Sequence, residues 1–398
     1  MGTRAFRPVS LDAVNFLLAD VRGALGPFLN VYLTTERHWR QIDVGWVTAV
    51  SGLLGIVAQT PAGAAIDRTS RKRAVVVAAL ALLATGAVGI FIWPEFWPVL
   101  FSNTLIAVVG DVFGPAIAAL TLGLVARQAL ARRLGRNSAF DHAGNVAIAI
   151  AAGVIGHVIS QRAVFLLVPL CAVFAALAVL SIPKDAIDEK RARGMEDDET
   201  APAPAASLLR NRPLVIFSLC AMLFHFANAP LLPFVGQKLA LSHPAWGTSM
   251  MSSCIVAAQM IMLPVALIVG RTADRIGRKP ILLLGFAVLP VRAVLYTFSD
   301  DAPWLIGVQL LDGIGAGIFG AITPLLVSDV MRGTGRFNLA MGVVATTQGI
   351  GASLSGLAAG AVVDRFGYSA GFLSLGAAAC VALVALAVGL PETARSKS

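Results

Sequence analysis

Five ionisable residues stand inside long apolar stretches of this 398-residue sequence: Asp20, Arg22, Asp111, Arg292 and Asp312. A single charge at the centre of a hydrocarbon layer costs roughly 2.5–3.5 kcal/mol even on a lenient insertion scale. Residues kept there must therefore pair, face a watery cavity or take up a proton. A carboxyl among apolar neighbours can load and release a proton, and Asp20 is the candidate for that work. Asp20 and Arg22 are two residues apart and point to nearly opposite sides of a helix, so they cannot simply neutralise each other. Asp111 is then the partner expected for Arg22. Together with His225 and Asn228, the residues Arg22, Asp111 and Asp312 are candidates to meet a polar solute. Asp141 is expected to answer Arg132, Arg133 or Arg136.

Other chemistries find no support in the spacing. The four cysteines (171, 220, 254, 380) lie in apolar runs without CxxC spacing, and the five histidines (38, 142, 157, 225, 243) lack metal-ligand spacing. Neither a disulfide framework nor a metal site follows. GxSxG, HExxH and Gly-Lys-Ser/Thr loops do not occur, so no catalytic residue and no cofactor is expected, and the chain is not expected to be an enzyme. Gly313-Ile-Gly-Ala-Gly317, Gly349-Ile-Gly351, Gly356 and Gly360 lie within apolar runs, where small residues let helices approach closely.

The elements that must hold these side chains are set by composition. Apolar residues make up 57% of the chain and charged residues 13%, against nearer half and a quarter in a soluble domain. That excludes a soluble enzyme, a nucleic-acid binder and a disordered protein. At about 20 residues per membrane crossing, the apolar runs divide into twelve spans: 11–33, 44–66, 74–92, 97–126, 138–159, 163–182, 214–236, 246–269, 281–298, 303–329, 339–363 and 370–390. The first is too long for a signal-peptide core and is taken as a membrane helix. Asp20 falls about 14 Å into it, near the midplane.

Lysine and arginine number 24 in one set of alternate loops and 5 in the other (Arg37, Arg40, Arg162, Lys238, Arg365). The positive-inside rule then places both termini in the cytoplasm. Residues 183–212 combine a mixed-charge block with Ala201-Pro-Ala-Pro-Ala-Ala, a composition that cannot bury a core. They are expected to form a cytoplasmic linker between an N-terminal six-helix bundle (1–182) and a C-terminal one (213–398).

The halves repeat. Gly63-Ala-Ala-Ile-Asp67-Arg68-Thr-Ser-Arg71-Lys72 returns as Gly270-Arg-Thr-Ala-Asp274-Arg275-Ile-Gly-Arg278-Lys279, a shared GxxxDRxxRK. Gly135-Arg136 returns as Gly335-Arg336, Pro27-Phe-Leu as Pro233-Phe-Val, and Asp111 with Gly114 as Asp312 with Gly315. Four matches in one order indicate a parallel duplication, which places a binding site near the midplane between repeats.

On these residues the chain resembles a major facilitator superfamily transporter over nearly its whole length. The resemblance implies an all-α membrane protein with twelve transmembrane helices, built as two six-helix bundles related by pseudo-two-fold symmetry. It makes Gly63, Asp67, Arg68 and Arg71, with Gly270, Asp274, Arg275 and Arg278, a cytoplasmic gate that latches in the outward-open state. It also makes spans 1, 4, 7 and 10 the cavity lining, and leaves Arg292, on span 9, a supporting role. Span 4 has Val108 or Ile106 where the superfamily's proton-coupled drug exporters usually carry arginine, the span 10 counterpart is Gln309, and span 5 lacks their Gly-Pro motif.

The function implied is a proton-coupled secondary active transporter of a small organic solute, working by alternating access in the direction of drug or metabolite efflux. Proton-symport import of an organic solute or metal chelate is the alternative, and a non-transporting membrane sensor is a third reading. Three acids against one arginine on the cavity spans favour a cationic, zwitterionic or metal-chelating solute. The expected partners are the substrate, protons and the lipid bilayer, with no nucleic acid, in a monomer of the cytoplasmic (inner) membrane.

Overall fold

A computed structural model describes residues 8–19, 25–69, 71–125, 127–183, 186–188, 207–332, 334 and 336–393, excluding the side chains of 8, 60, 62–68, 127, 128, 131, 207, 209 and 338. Secondary structure among them is helical, with no strand. The long helices are α1 (Pro8–Leu18), α2 (Gly26–Thr35), α3 (Gln41–Arg68), α4 (Lys72–Ile92), α5 (Phe96–Leu124), α6 (Arg127–Val158), α7 (Leu167–Leu180), α8 (Arg212–Asn228), α9 (Leu231–Ser242), α10 (Gly247–Ile276), α11 (Arg278–Leu295), α12 (Ala302–Val330) and α13 (Phe337–Gly389).

Nine segments among the described residues are long and apolar enough to cross a membrane. The twelve spans are completed by the first span, by α11, whose Arg278, Lys279 and Arg292 raise its polarity, and by α13, which Gly367 at φ 82° divides in two. Helix is the form a chain must take in hydrocarbon, because each backbone N–H and C=O finds its partner within the segment. The same setting tolerates the prolines inside α3, α5, α10, α11 and α12 (Pro61, Pro115, Pro264, Pro290, Pro324).

One expectation needs correction. The first span is not one described helix from 11 to 33. It is α1 and α2, with 20–24 outside the described residues, and α2 starts from Leu25 in the left-handed region with Pro27 in its first turn. The seventh span is likewise α8 followed by α9, with Pro230 capping α9 and Pro233 in its first turn. A proline tolerated at a helix start cannot continue a helix that arrives from upstream without losing a hydrogen bond.

The chain forms two compact units, Met1–Arg37 with Val50–Asp198, and His38–Ala49 with Glu199–Ser398. In the first, α4 packs on α5 and α7, and α1 on α6 and α7. In the second, α8 and α11 pack on α13, and α10 and α11 on α12. Close approach depends on glycine: a Cβ at Gly144 would strike the carbonyl oxygen of Phe16, and one at Gly351 that of Met222. Gly313 and Gly317 of α12 meet the backbone of α10 in the same way, which makes that glycine run a packing face. Opposite faces are apolar and open: Val173, Leu177, Val384 and Val388 are all more than half exposed, a surface that suits lipid rather than water.

Candidate functional site

The second unit holds a polar cluster deep in an apolar bundle. Asp312 lies ten residues into α12, about 15 Å from its start. Arg292 of α11 pairs with it through Nη1, and Gln309, one turn before Asp312, donates from Nε2 to its other oxygen at 3.0 Å. Tyr296, one turn after Arg292, donates its hydroxyl to Gln309 Oε1. Pairs at i,i+3 on α12 and i,i+4 on α11 thus face each other as a closed square. Arg292 is 1% exposed, and its Nε and Nη2 take no hydrogen bond among the described residues. A supporting role for Arg292 is therefore incomplete: it neutralises one of the predicted cavity acids.

His225 and Asn228 stand in the last turn of α8, just before the break that precedes α9. His225 Nδ1 donates to the carbonyl of Ala221 at 3.0 Å, which fixes that nitrogen as the protonated one. Its ring meets Phe319 edge-on at 4.9 Å, and Phe319 stacks on Phe224 at 5.0 Å. Phe286 closes the group at 4.7 Å from Phe224. The three phenylalanines are buried and His225 is half-buried, so the group sets an imidazole edge in apolar packing.

In the first unit, Asp111 sits near the middle of α5, about 22 Å from its start. Gly55 of α3 makes room for it, since a Cβ there would lie 3.1 Å from Asp111 Oδ2. Asp20 and Arg22 lie outside the described residues. The duplication places Asp111 and Asp312 at equivalent positions, and only Asp312 has an arginine bonded to it among the described residues.

At the predicted gate motif of the second unit, Arg278 reaches Asp274 at 2.6 Å and Asp329 at 2.9 Å, while Arg332 reaches Asp329 at 3.3 Å. Glu392 accepts the backbone N–H groups of Arg278 (2.9 Å) and Lys279 (3.1 Å), capping α11. Gly277, at φ 100°, lets the chain turn there, and any Cβ would press on that carboxylate. Arg275 is exposed, and Gly270 has open space about it. In the first unit Arg71 is exposed, Gly63 lies in α3, and the side chains of Asp67 and Arg68 are outside the described residues.

Arg133 and Arg136 are both answered by Asp12 of α1. Asp12 is 3% exposed and meets each arginine at 2.7 Å. Arg133 also donates to Asn137, which donates to Thr121, joining α1, α5 and α6. Asp12, Asp329 and Glu392 escaped the sequence reading because each lies at the edge of an apolar run, where an acid looks solvated.

Helical spans of this kind, with a carboxylate–guanidinium pair at mid-depth, make a multi-pass membrane transporter. The chain belongs to the Major Facilitator Superfamily, whose profile matches residues 11–288 and 218–398. It is 50% identical to an uncharacterised MFS-type transporter of Mycobacterium tuberculosis over 391 residues, covering 97% of this chain and 94% of that one. It is 26% identical to sugar efflux transporter A of Dickeya chrysanthemi, covering 92% of each. Among solved structures, it resembles a mutant of the nucleoside transporter NupG with a TM-score of 0.81 at 14% identity, covering 96% of this chain and 100% of that one. A D-xylose–proton symporter gives 0.76 at 11%, covering 97% and 98%.

Proposed function

We propose that the chain exports a small, neutral, polyhydroxylated solute of the sugar type by alternating access, in exchange for protons. The observation that carries this reading is the Arg292–Asp312–Gln309 cluster at mid-depth, with the aromatic group around His225 about two turns away along α11 and α12. The arginine halves the net negative charge that had favoured a cationic or chelating solute. What remains suits hydroxyl groups: the Asp312 carboxylate, His225 and Asn228 are the polar groups of this region that keep part of their surface open. The relative from Dickeya chrysanthemi, named for sugar efflux, agrees with this class.

Asp20 is the proposed proton carrier, Arg22, Asp111, His225, Asn228 and Asp312 the cavity residues, and the Asp67 and Asp274 clusters the cytoplasmic gate. Entry of one proton releases about 2.3 kcal/mol per 100 mV and about 1.4 kcal/mol per pH unit, enough for a several-hundredfold solute gradient. The protein acts as a monomer in the cytoplasmic membrane, with both termini inside. Proton-symport import is the second reading, favoured by the absence of the exporters' span 4 arginine and span 5 Gly-Pro.

The test is solute movement in oriented proteoliposomes with a panel of radiolabelled mono- and disaccharides. Accumulation that follows an imposed pH gradient in the antiport sense is the expected result. Movement with the proton selects the import reading, and no movement of any sugar in either direction removes the substrate class.

A further inference from the structure

The GxxxDR core of the gate motif occurs a third time. Gly360-Ala-Val-Val-Asp364-Arg365-Phe366-Gly367 repeats the pattern of Gly270-Arg-Thr-Ala-Asp274-Arg275-Ile-Gly277, GxxxDRxG, and both terminal glycines hold positive φ, 82° and 100°. The third copy lies at the far end of the first part of α13. Asp364 is 27 residues, about 40 Å of helix, from Phe337, and Phe337 starts on the side where α10 ends. One motif therefore stands at each face of the second unit.

Its carboxylate is engaged. Asp364 Oδ1 accepts the backbone N–H of Gln41 and Oδ2 that of Ile42, each at 2.8 Å. These are the first residues of α3, where N–H groups have no partner within the helix and the helix dipole favours an anion. Gln41 also donates from Nε2 to the hydroxyl of Tyr368 at 3.0 Å, and that hydroxyl donates to Gln237 at 3.5 Å.

Behind this cap the two helices touch backbone to backbone. A Cβ at Gly360 would come within 2.7 Å of the Gln41 carbonyl oxygen, one at Gly45 within 2.6 Å of Leu357 Cα, and one at Gly356 within 3.0 Å of Thr48 Oγ1. Residues 38–49 belong with the second unit for this reason, although α3 leaves that unit at Val50.

The cap suits a contact that is made and broken. Asp364 is exposed, so water can replace the helix N–H groups at small cost. Breaking the buried Arg292–Asp312 pair would instead strand a charge in the bundle. The offset that carries Gly135 onto Gly335 carries Val164 onto Asp364, so the first half has no carboxylate at the matching place. We propose that Asp364 is the latch residue of the outer side: its hold on the start of α3, set by the Gly45, Gly356 and Gly360 contact, keeps that side shut, and its release opens it. This rests on the alternating-access reading above.

The experiment measures the latch without a substrate. Spin labels at Trp46 and Phe366, both exposed, in a background with the four native cysteines replaced by serine or alanine, report the distance between the start of α3 and the end of the first part of α13. A short-distance population is expected, falling about tenfold relative to the long one in Asp364→Asn, a change within the range for loss of a helix cap. Gly45→Ala, acting from the other helix, should shift it the same way, and Asp364→Glu should restore part of it. A distribution in folded Asp364→Asn that overlaps the unsubstituted protein's overturns the latch. If that variant does not insert, an unchanged distribution in Gly45→Ala overturns it. Sugar counterflow by the unsubstituted protein is scored separately: its absence removes the transport reading, whereas the distance shift judges the latch alone.

Discussion

Arg292 and Asp312 illustrate how two residues, each costly alone at mid-membrane, become tolerable as a pair. Arg292→Met leaves Asp312 as an uncompensated charge and should lower stability by about 3–5 kcal/mol. The double change Arg292→Met with Asp312→Leu should recover most of that loss while transport stays absent, as unfolding midpoints in detergent and vesicle uptake will show. A double variant as unstable as the single one would mean that the pair is not the stabilising unit. Asp20→Asn keeps shape and hydrogen bonding but fixes the neutral form, so it should abolish proton-driven accumulation while sparing downhill exchange. Asp111→Asn should mainly change apparent affinity, whereas Asp312→Asn strands the buried Arg292 and should cost stability as Arg292→Met does. Full proton dependence in Asp20→Asn would pass the carrier role to another acid. Composition exposed these acids, because a charge in an apolar run is conspicuous. It could not reveal that Arg292 belongs to Asp312, since no periodicity relates residues on separate helices.

At the scale of elements, the telling parallel is the broken span. Pro27 and Pro233 were legible as a repeated tripeptide, yet their consequence, a division of spans 1 and 7, was not, because long apolar runs mask interruptions that proline makes at a helix start. Interrupted spans at matching places in two halves are where transporters of this kind bind solutes, and His225 and Asn228 stand at one of them. The gate belongs to this scale too. Asp274→Asn removes a contact to Arg278 that is 83% exposed on the aspartate side, so folding should change little. Turnover in the Asp67→Asn, Asp274→Asn double variant should still fall, and unchanged uptake rates would remove the gate assignment. Gly351→Val, by contrast, should prevent α8 and α13 from seating, seen as loss of monodisperse protein on size exclusion.

For the whole molecule, hydropathy was sufficient to lay out twelve spans, because the bilayer imposes one length on every segment, and the arginine–lysine bias predicts their direction. Cysteine reporters at Ser207 and Ser396 should be labelled only from the cytoplasm, and one at Thr35 only from outside, in a background without the exposed Cys380. A single reversal breaks the topology. The ion pair at mid-depth has an electrical consequence at this scale. Because Arg292 and Asp312 are bonded as a unit of zero net charge, any movement that carries them through the membrane field contributes no gating current. With a neutral solute, the voltage acts only on the coupling proton, so steady-state current across a planar bilayer would count protons directly, and its ratio to solute flux would give the stoichiometry of the cycle.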